Sequence, residues 1–281
     1  MDHSIALRKL QLETLDILEV FKAYCCEHNL TWFLLSGTAL GAMRHDGFIP
    51  WDDDLDVGMP RSDYQRLLEL AAQGFPDGYR LDVPGVEPTL APMFAKMCKI
   101  GTHFVTQETV EAGYDQGIFI DIIPLDKVAL DPNRRKKQLI NSFVWQSLSY
   151  LWHAKTIVVP HDGLLGAIEK AGCRVVHYAV HALLPKERIL NRFADSIIDD
   201  PELLAEEWML LSWPRTKPFP TDVLLPTTAH VFEGTSMPMP AEPERYLELM
   251  YGDWRQLPPV DKRHTHMPLK LVFSDGEEWH A

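Results

Sequence analysis

The string SGTALGAMRHDGFIPWDDDLD, residues 36–56, holds the side chains best suited to chemistry. Asp54 and Asp56 are two apart, and on a strand residues two apart point the same way. Two carboxylates side by side repel each other unless a cation lies between them. Mg²⁺, a hard, oxygen-seeking ion often shared with substrate phosphates, suits such a pair. Asp52 shares that face only if the strand begins before Trp51, so it ranks second. Upstream, Phe33, Leu34 and Leu35 form a short apolar run. The pattern predicts a strand, a turn at Ser36, Gly37 and Thr38, a short helix over 39–44, a loop through Pro50 and a second strand. The unpaired N–H groups at the start of that helix, together with its dipole, favour a phosphate.

Other candidates must be carried to this site by the rest of the chain. Residues 117–125, GIFIDIIPL, read as a central strand that is apolar except for Asp121. A carboxylate there is costly to bury without a partner, and metal coordination offsets the cost. Asp126, just beyond, is expected to start a turn. Residues 93–106 predict one or two strands, with Lys96 and Lys99 on opposite faces and Lys96 the better placed to reach a phosphate. A long amphipathic helix over 5–28 should cover the sheet, with Leu7, Leu10, Thr14, Ile17, Leu18 and Phe21 inward. A helix over 61–72 follows the second strand, with Ser62 as its cap, and a short strand is expected over 79–83. Three further helices are expected at 131–157, 164–184 and 187–199. The first opens with Arg134, Arg135, Lys136 and Lys137 and continues into an aromatic face of Phe143, Trp145, Tyr150 and Trp152. Basic residues beside aromatic ones suit peripheral membrane contact, although amphipathic helices more often face a core. Residues 208–230 read as irregular. Near the end, Arg263, His264 and His266 form a basic cluster that suits a nucleotide- or acceptor-binding tail; zinc would need a third ligand that the neighbouring sequence lacks.

The longer string GTALGAMRHDGFIPWDDDLDVGM resembles the LicD/fukutin-like phosphotransferases, of the phosphocholine transferase type. The Gly-Thr, short helix and Asp-x-Asp within it look like the nucleotidyltransferase fold. The resemblance extends to FEG at 232–234, a helix over 244–251 ending in Tyr-Gly, Leu257-Pro258-Pro259 and the late basic cluster, whereas the middle helices carry little of it. It implies an α+β fold: a nucleotidyltransferase-like mixed sheet flanked by helices, with a helical insertion. The expected organisation is a catalytic core over 1–130, the insertion over 131–200 and a C-terminal part over 201–281 that completes the active site. It also implies that Asp121 is the third carboxylate beside Asp54 and Asp56, with all three as metal ligands. The expected reaction moves phosphocholine from CDP-choline, or a related alcohol phosphate from another CDP-alcohol such as CDP-ribitol, to a hydroxyl of a glycan or glycolipid. Lipopolysaccharide and teichoic-acid-like polymers are the acceptors that the family suggests, and CMP is released.

Within that reading Ser36, Gly37 and Thr38 hold donor phosphate, and Arg44, Lys96 and Arg263 are phosphate contacts. Asp121 is the general base. Oxygen-only ligands select Mg²⁺ or Mn²⁺ over zinc. A quaternary ammonium needs an aromatic or acidic cage, for which Trp51, Trp208, Trp213, Tyr251 and Trp254 are available. Two competing readings are a nucleotidyltransferase proper, which moves NMP and releases pyrophosphate, and a nucleotide-binding scaffold without turnover.

A formal net charge of −13, from 40 acidic and 27 basic residues, argues against a broad nucleic-acid surface. It does not argue against a nucleotide held through metal ions. Cys25, Cys26, Cys98 and Cys173 include no CxxC pair, so neither a disulfide framework nor a zinc knot is expected. Residues 1–13 lack the apolar segment of a signal peptide, and no apolar run is long enough to span a bilayer. The expected location is the cytoplasm, with contact at the inner face of the membrane.

Overall fold

The computed structural model describes residues 1–155, 163–198, 205–260, 263, 265 and 267–281. It opens with helix α1, His3–Glu27, whose inward residues Leu7, Leu10, Thr14, Ile17, Leu18 and Phe21 are all buried. Asn29, at φ 54°, ends that run in the left-handed region that asparagine tolerates. Strand β1, Phe33–Leu34, leads into helix α2, Ser36–His45, and the loop after α2 reaches β2, Asp56–Pro60. Helix α3, Arg61–Ala71, follows without a side-chain cap, so Ser62 does not play the expected role; Pro60 stands at the N-cap. Next come β3, Tyr79–Asp82; β4, Ala95–Lys99; β5, His103–Val105; helix α4, Gln107–Ala112; and β6, Phe119–Lys127.

The main sheet runs β1-β2-β6-β4-β3. Strands β2 and β6 pair in parallel, and the other neighbours on this path are antiparallel. The sheet is thus mixed and flanked by helices, an α+β arrangement. Because β6 is central, its apolar residues Ile120, Ile122 and Leu125 are buried.

Three long helices follow: α5, Pro132–His153; α6, Gly163–Leu183; and α7, Lys186–Ala194. Asp131 caps α5 by accepting from the Arg134 N–H at 2.8 Å, and Pro132 fits its first position. These helices share a second apolar cluster, built on Val180, Ile189 and Phe193 with Met93 and Leu211, apart from the main core. Trp145, Leu148 and Trp152 pack against it. Two members of the α5 aromatic face, Trp145 and Trp152, thus turn inward, whereas Phe143 is exposed.

The stretch 208–230 is more ordered than its prolines suggest. Strand β7, Glu207–Met209, pairs with the end of β6 and with β8, Phe219–Pro220. Helix α8, Thr221–Leu224, leads to the hairpin of β9, Thr228–Phe232, and β10, Thr235–Met239. Its two turn residues, Glu233 and Gly234, both have positive φ (49° and 77°), as a type I′ turn requires. Helix α9, Pro243–Tyr251, and strands β11, Lys270–Val272, and β12, Glu278–His280, complete the described chain. All four cysteines are free. Among the described residues no helix is long and apolar enough to cross a membrane.

Asp126 does not start a turn. It lies within β6, fully buried, and its two carboxylate oxygens accept from Arg61 Nε at 2.6 Å and Nη2 at 2.7 Å. This pair locks the start of α3 to the central strand. Asp126→Ala would take the bidentate carboxylate partner from a largely buried guanidinium and should cost about 3–5 kcal/mol. Denaturant unfolding measures this, and a loss below about 1 kcal/mol would show that the pair behaves as a surface pair.

Candidate active site

The site forms where α2, the loop before β2, and the strands β2, β6 and β4 meet. Helix α2 starts one turn earlier than its sequence suggests, with Ser36 as its first residue and Leu35 at the N-cap. Ser36 carries a left-handed φ of 47°, uncommon for serine and a mark of strain that surrounding structure must hold in place. Helix α9 supplies part of that hold: the Ser36 N–H donates to the buried Tyr246 hydroxyl at 3.0 Å. Thr38 turns its hydroxyl inward to accept from the Asp56 N–H at 2.8 Å. The helix start and the first residue of β2 are thereby fixed to each other.

The acidic loop is held from three sides. Gln11 of α1 donates to the backbone oxygens of Ile49, at 3.3 Å, and Asp52, at 2.9 Å. Glu233, in the β9–β10 turn, accepts from the Phe48 N–H at 3.2 Å and pairs with Arg8 at 2.6 Å. Gly41 lets the loop approach α2, since a Cβ there would lie 2.5 Å from the Gly47 oxygen. The loop returns Asp52 across the helix start, where a Cβ on Gly37 would meet Asp52 Oδ2 at 2.8 Å. Asp52, ranked second by its sequence position, thus belongs to the cluster. The run of three aspartates was the available signal, but strand geometry argued against its first member.

Asp54 lies just before β2 and not on it, so the shared strand face is not what unites it with Asp56. Asp56 begins β2 and stands opposite Asp121 of β6 in the parallel register. Asp121 in turn stands opposite Lys96 of β4, whose ammonium reaches Asp121 Oδ1 at 2.5 Å. Lys96 is buried and also lies 3.6 Å from the centroid of the Phe119 ring. It is neither a surface lysine nor directed away from the carboxylates; its partner is one of them. Lys99 points the other way, to Glu13 of α1 at 2.5 Å.

The electrostatics follow from that crowding. Burial, then the charges of Asp54 and Asp53, push the Asp52 carboxyl up to about 8. Burial and the charges of Asp54, Asp121 and Asp52 push Asp56 well above the usual carboxylate range, against the opposing pull of Lys96. Asp121 is raised by burial more than the neighbouring Lys96 lowers it. The Tyr251 hydroxyl, at the end of α9, is pushed up by burial and by Tyr246, Asp56, Asp52 and Asp54. It faces the same cluster, and Tyr251 is the one member of the expected aromatic cage with that relationship. Trp208 and Trp254 are buried, the former donating to the Thr221 hydroxyl at 2.9 Å, and Trp213 is exposed.

Arg44, in the last turn of α2, adjoins Tyr251. Its Nε and Nη1 are buried and have no hydrogen-bond partner among the described residues. Burial pulls its pKa down, with Tyr251 acting in the other direction. An orphaned guanidinium of this kind suits an anion. Trp51 packs edge-on to His45 at 6.4 Å, and the Arg263 guanidinium lies over its ring at 4.6 Å. Arg263 Nε also donates to the Pro258 oxygen at 3.1 Å. His264 and His266 lie outside the described residues.

The donor chemistry suits a hard cation: several carboxylates and no thiol or imidazole, with mutual repulsion raising their proton affinity. As placed, no three such groups among the described residues are arranged to hold an ion, and Lys96 partly neutralises Asp121.

The family model for the LicD/FKTN/FKRP nucleotidyltransferase domain matches residues 29–127, the span from β1 to the end of β6. The lipopolysaccharide cholinephosphotransferase LicD of Haemophilus influenzae is 39% identical over 128 residues, 46% of this chain and 47% of that protein. An uncharacterized protein of Rickettsia typhi is 35% identical over 78 residues, 28% of this chain and 23% of that protein. One of Rickettsia prowazekii is 36% identical over 76 residues, 27% of this chain and 26% of its own length. The chain thus spans about half, or less, of the length of these relatives. Every carboxylate of the cluster falls inside the span, residues 29–127, that is similar to the LicD/FKTN/FKRP nucleotidyltransferase domain.

Proposed function

We propose that the chain is a metal-dependent phosphotransferase, moving phosphocholine or a related alcohol phosphate from a CDP-alcohol to a hydroxyl of a glycan or glycolipid and releasing CMP. CDP-choline is the favoured donor, because the H. influenzae relative is named a lipopolysaccharide cholinephosphotransferase. The observation that carries the reading is the gathering of Asp52, Asp54, Asp56 and Asp121, the last paired with Lys96, at the start of a helix that is well placed for phosphate.

Asp54, Asp56 and Asp121 would hold Mg²⁺ or Mn²⁺, and such an ion, when bound, neutralises the diphosphate and the charge that builds during displacement. The chain's own residues position the reactants. The Ser36 N–H is taken by Tyr246, which leaves the N–H groups of Gly37 and Thr38 to face donor phosphate. Arg44 offers its unpartnered nitrogens to a phosphate oxygen. Lys96 holds the Asp121 carboxylate in place, and Asp121 takes the proton of the acceptor hydroxyl. Tyr251 and Trp51 are the aromatic groups that would meet a choline headgroup in this reading. We further propose that Arg263 contacts donor phosphate from beside Trp51, and that the enzyme works on the cytoplasmic side of the membrane.

Arg44→Met should weaken donor binding on the order of tenfold to a hundredfold, since a charged hydrogen bond is lost. The melting temperature should stay level, because the guanidinium has no partner among the described residues to lose. An unchanged donor affinity would remove Arg44 from the site.

The family's description as a nucleotidyltransferase domain favours one second reading, transfer of the nucleotide itself. Product analysis separates the two. Incubation with a panel of CDP-alcohols, Mg²⁺ and a glycolipid acceptor should yield CMP, while CTP should yield no pyrophosphate. Pyrophosphate without CMP would overturn headgroup transfer.

A further inference from the structure

The chain as a whole is acidic, yet residues 132–198 hold ten Lys and Arg against four Asp and Glu, a net of +6 inside a total of −13. Arg134, Lys136, Lys137, Lys170, Arg174 and Arg188 are exposed and form no ion pair with another described residue. Helix α6, in the middle of this basic segment, buries little of itself. Among its described side chains, Val180 reaches the second apolar cluster. Leu165, Ile168, Val175 and Leu183 are 51%, 61%, 69% and 77% exposed, and with Val176 they recur at spacings of three and seven along one side. Glu169 is the one acidic residue of α6. On the neighbouring α5, Lys136 and Lys137 share a groove of about 380 Å³ with the exposed Ile140 and Val144.

We propose that the outer face of α6, with the basic residues of α5 to α7 around it, docks on an anionic lipid surface. An apolar helix stripe in contact with water needs cover. A lipid surface fits better than a protein partner because the apolar stripe is accompanied by unpaired cations and a clear excess of base over acid. That combination lets a helix lie at a headgroup boundary with its apolar side inserted and its cations on lipid phosphates. In an otherwise acidic chain the local excess also orients the molecule, since its remaining surface is repelled by the same membrane. Trp145 and Trp152 of α5 pack inward on the cluster shared with α6 and α7, and of the α5 aromatic residues Phe143 stays exposed, so the longer apolar stripe left in water is that of α6. The proposal goes beyond the transfer reaction and stands or falls without it.

Flotation with vesicles tests it on the whole chain. The protein should rise with phosphatidylcholine vesicles that contain phosphatidylglycerol, stay behind with phosphatidylcholine alone, and be released by high salt. The triple variant Ile168→Gln, Val175→Gln, Leu183→Gln should bind at least about tenfold more weakly. These side chains are exposed, so its melting temperature should match that of the parent. The quadruple variant Lys136→Gln, Lys137→Gln, Lys170→Gln, Arg174→Gln touches no apolar packing and should lose binding by a similar factor. No flotation of the parent chain, or flotation unchanged in both variants, would overturn the proposal. So would a parent dimer that the triple variant dissociates without any lipid binding, since a second copy would then be what covers the face.

Discussion

Asp56→Asn and Asp121→Asn should each lower transfer on the order of a thousandfold, about 4 kcal/mol of transition-state stabilisation, while leaving the fold intact. The expectation rests on position. The two residues stand opposite each other on β2 and β6, and burial raises both carboxyls above their ordinary range, so that a bound cation is what would favour their charged forms. Asparagine keeps the size and one oxygen but removes the charge that a cation requires and, at 121, the proton acceptor. In EDTA the Asp56→Asn protein should be at least as stable as the parent, because a repelled carboxylate has been replaced by a neutral group. Asp121→Asn has a smaller margin, since it also leaves Lys96 without its partner at 2.5 Å. Initial rates with CDP-choline and a glycolipid acceptor measure the first effect, and thermal melts the second. Near-normal turnover in either variant would remove that residue from the reaction.

The cluster should also make the metal-free protein sensitive to alkali. Asp52 titrates at about 8 in the folded chain against an ordinary value of 3.8, and Asp56 is raised in the same direction. Across that window the folded state holds more protons than the unfolded one. Stability is therefore highest at the acid end and falls as pH climbs towards 8. In EDTA the melting temperature should drop between about pH 5 and about pH 8, and Asp52→Asn should flatten the slope. Mg²⁺ should restore stability most at the upper end, where carboxylates are free to bind it. A melting temperature in EDTA that rises over this window would mean that the carboxylates are not destabilised by one another.

Local patterns carried much of this in the sequence. The three- and four-residue spacing of α1 and the apolar run of β6 follow from periodicities of a few residues, and the DDDLD string marked the acidic loop. The elements that sequence reasoning missed depend on partners far along the chain. Tyr246 fixes Ser36 from 210 positions away, and Arg61 takes Asp126 out of a turn and into β6 from a distance of 65. Strand β7 has three residues, too few for a period to register, and exists through its pairing with Asp126 and Lys127. The role of Lys96 was open between a surface lysine and a phosphate contact because only the β4–β6 register brings it opposite Asp121. Likewise, an amphipathic pattern in α5 and α6 does not say which helix faces the core; packing places the α5 tryptophans inside and leaves the α6 stripe outside.

The central claim is that an anionic diphosphate donor enters a carboxylate cluster by way of a divalent cation. The start of α2 supplies roughly half an elementary charge, too little to offset Asp52, Asp54, Asp56 and Asp121 even with Lys96 beside them. Calorimetric titration of CDP-choline into the whole chain tests this most directly. Binding should be clear with Mg²⁺ or Mn²⁺ and lost in EDTA, and CDP-ribitol should bind more weakly under the same conditions. Equal binding of CDP-choline with Mg²⁺ and with EDTA would contradict the account.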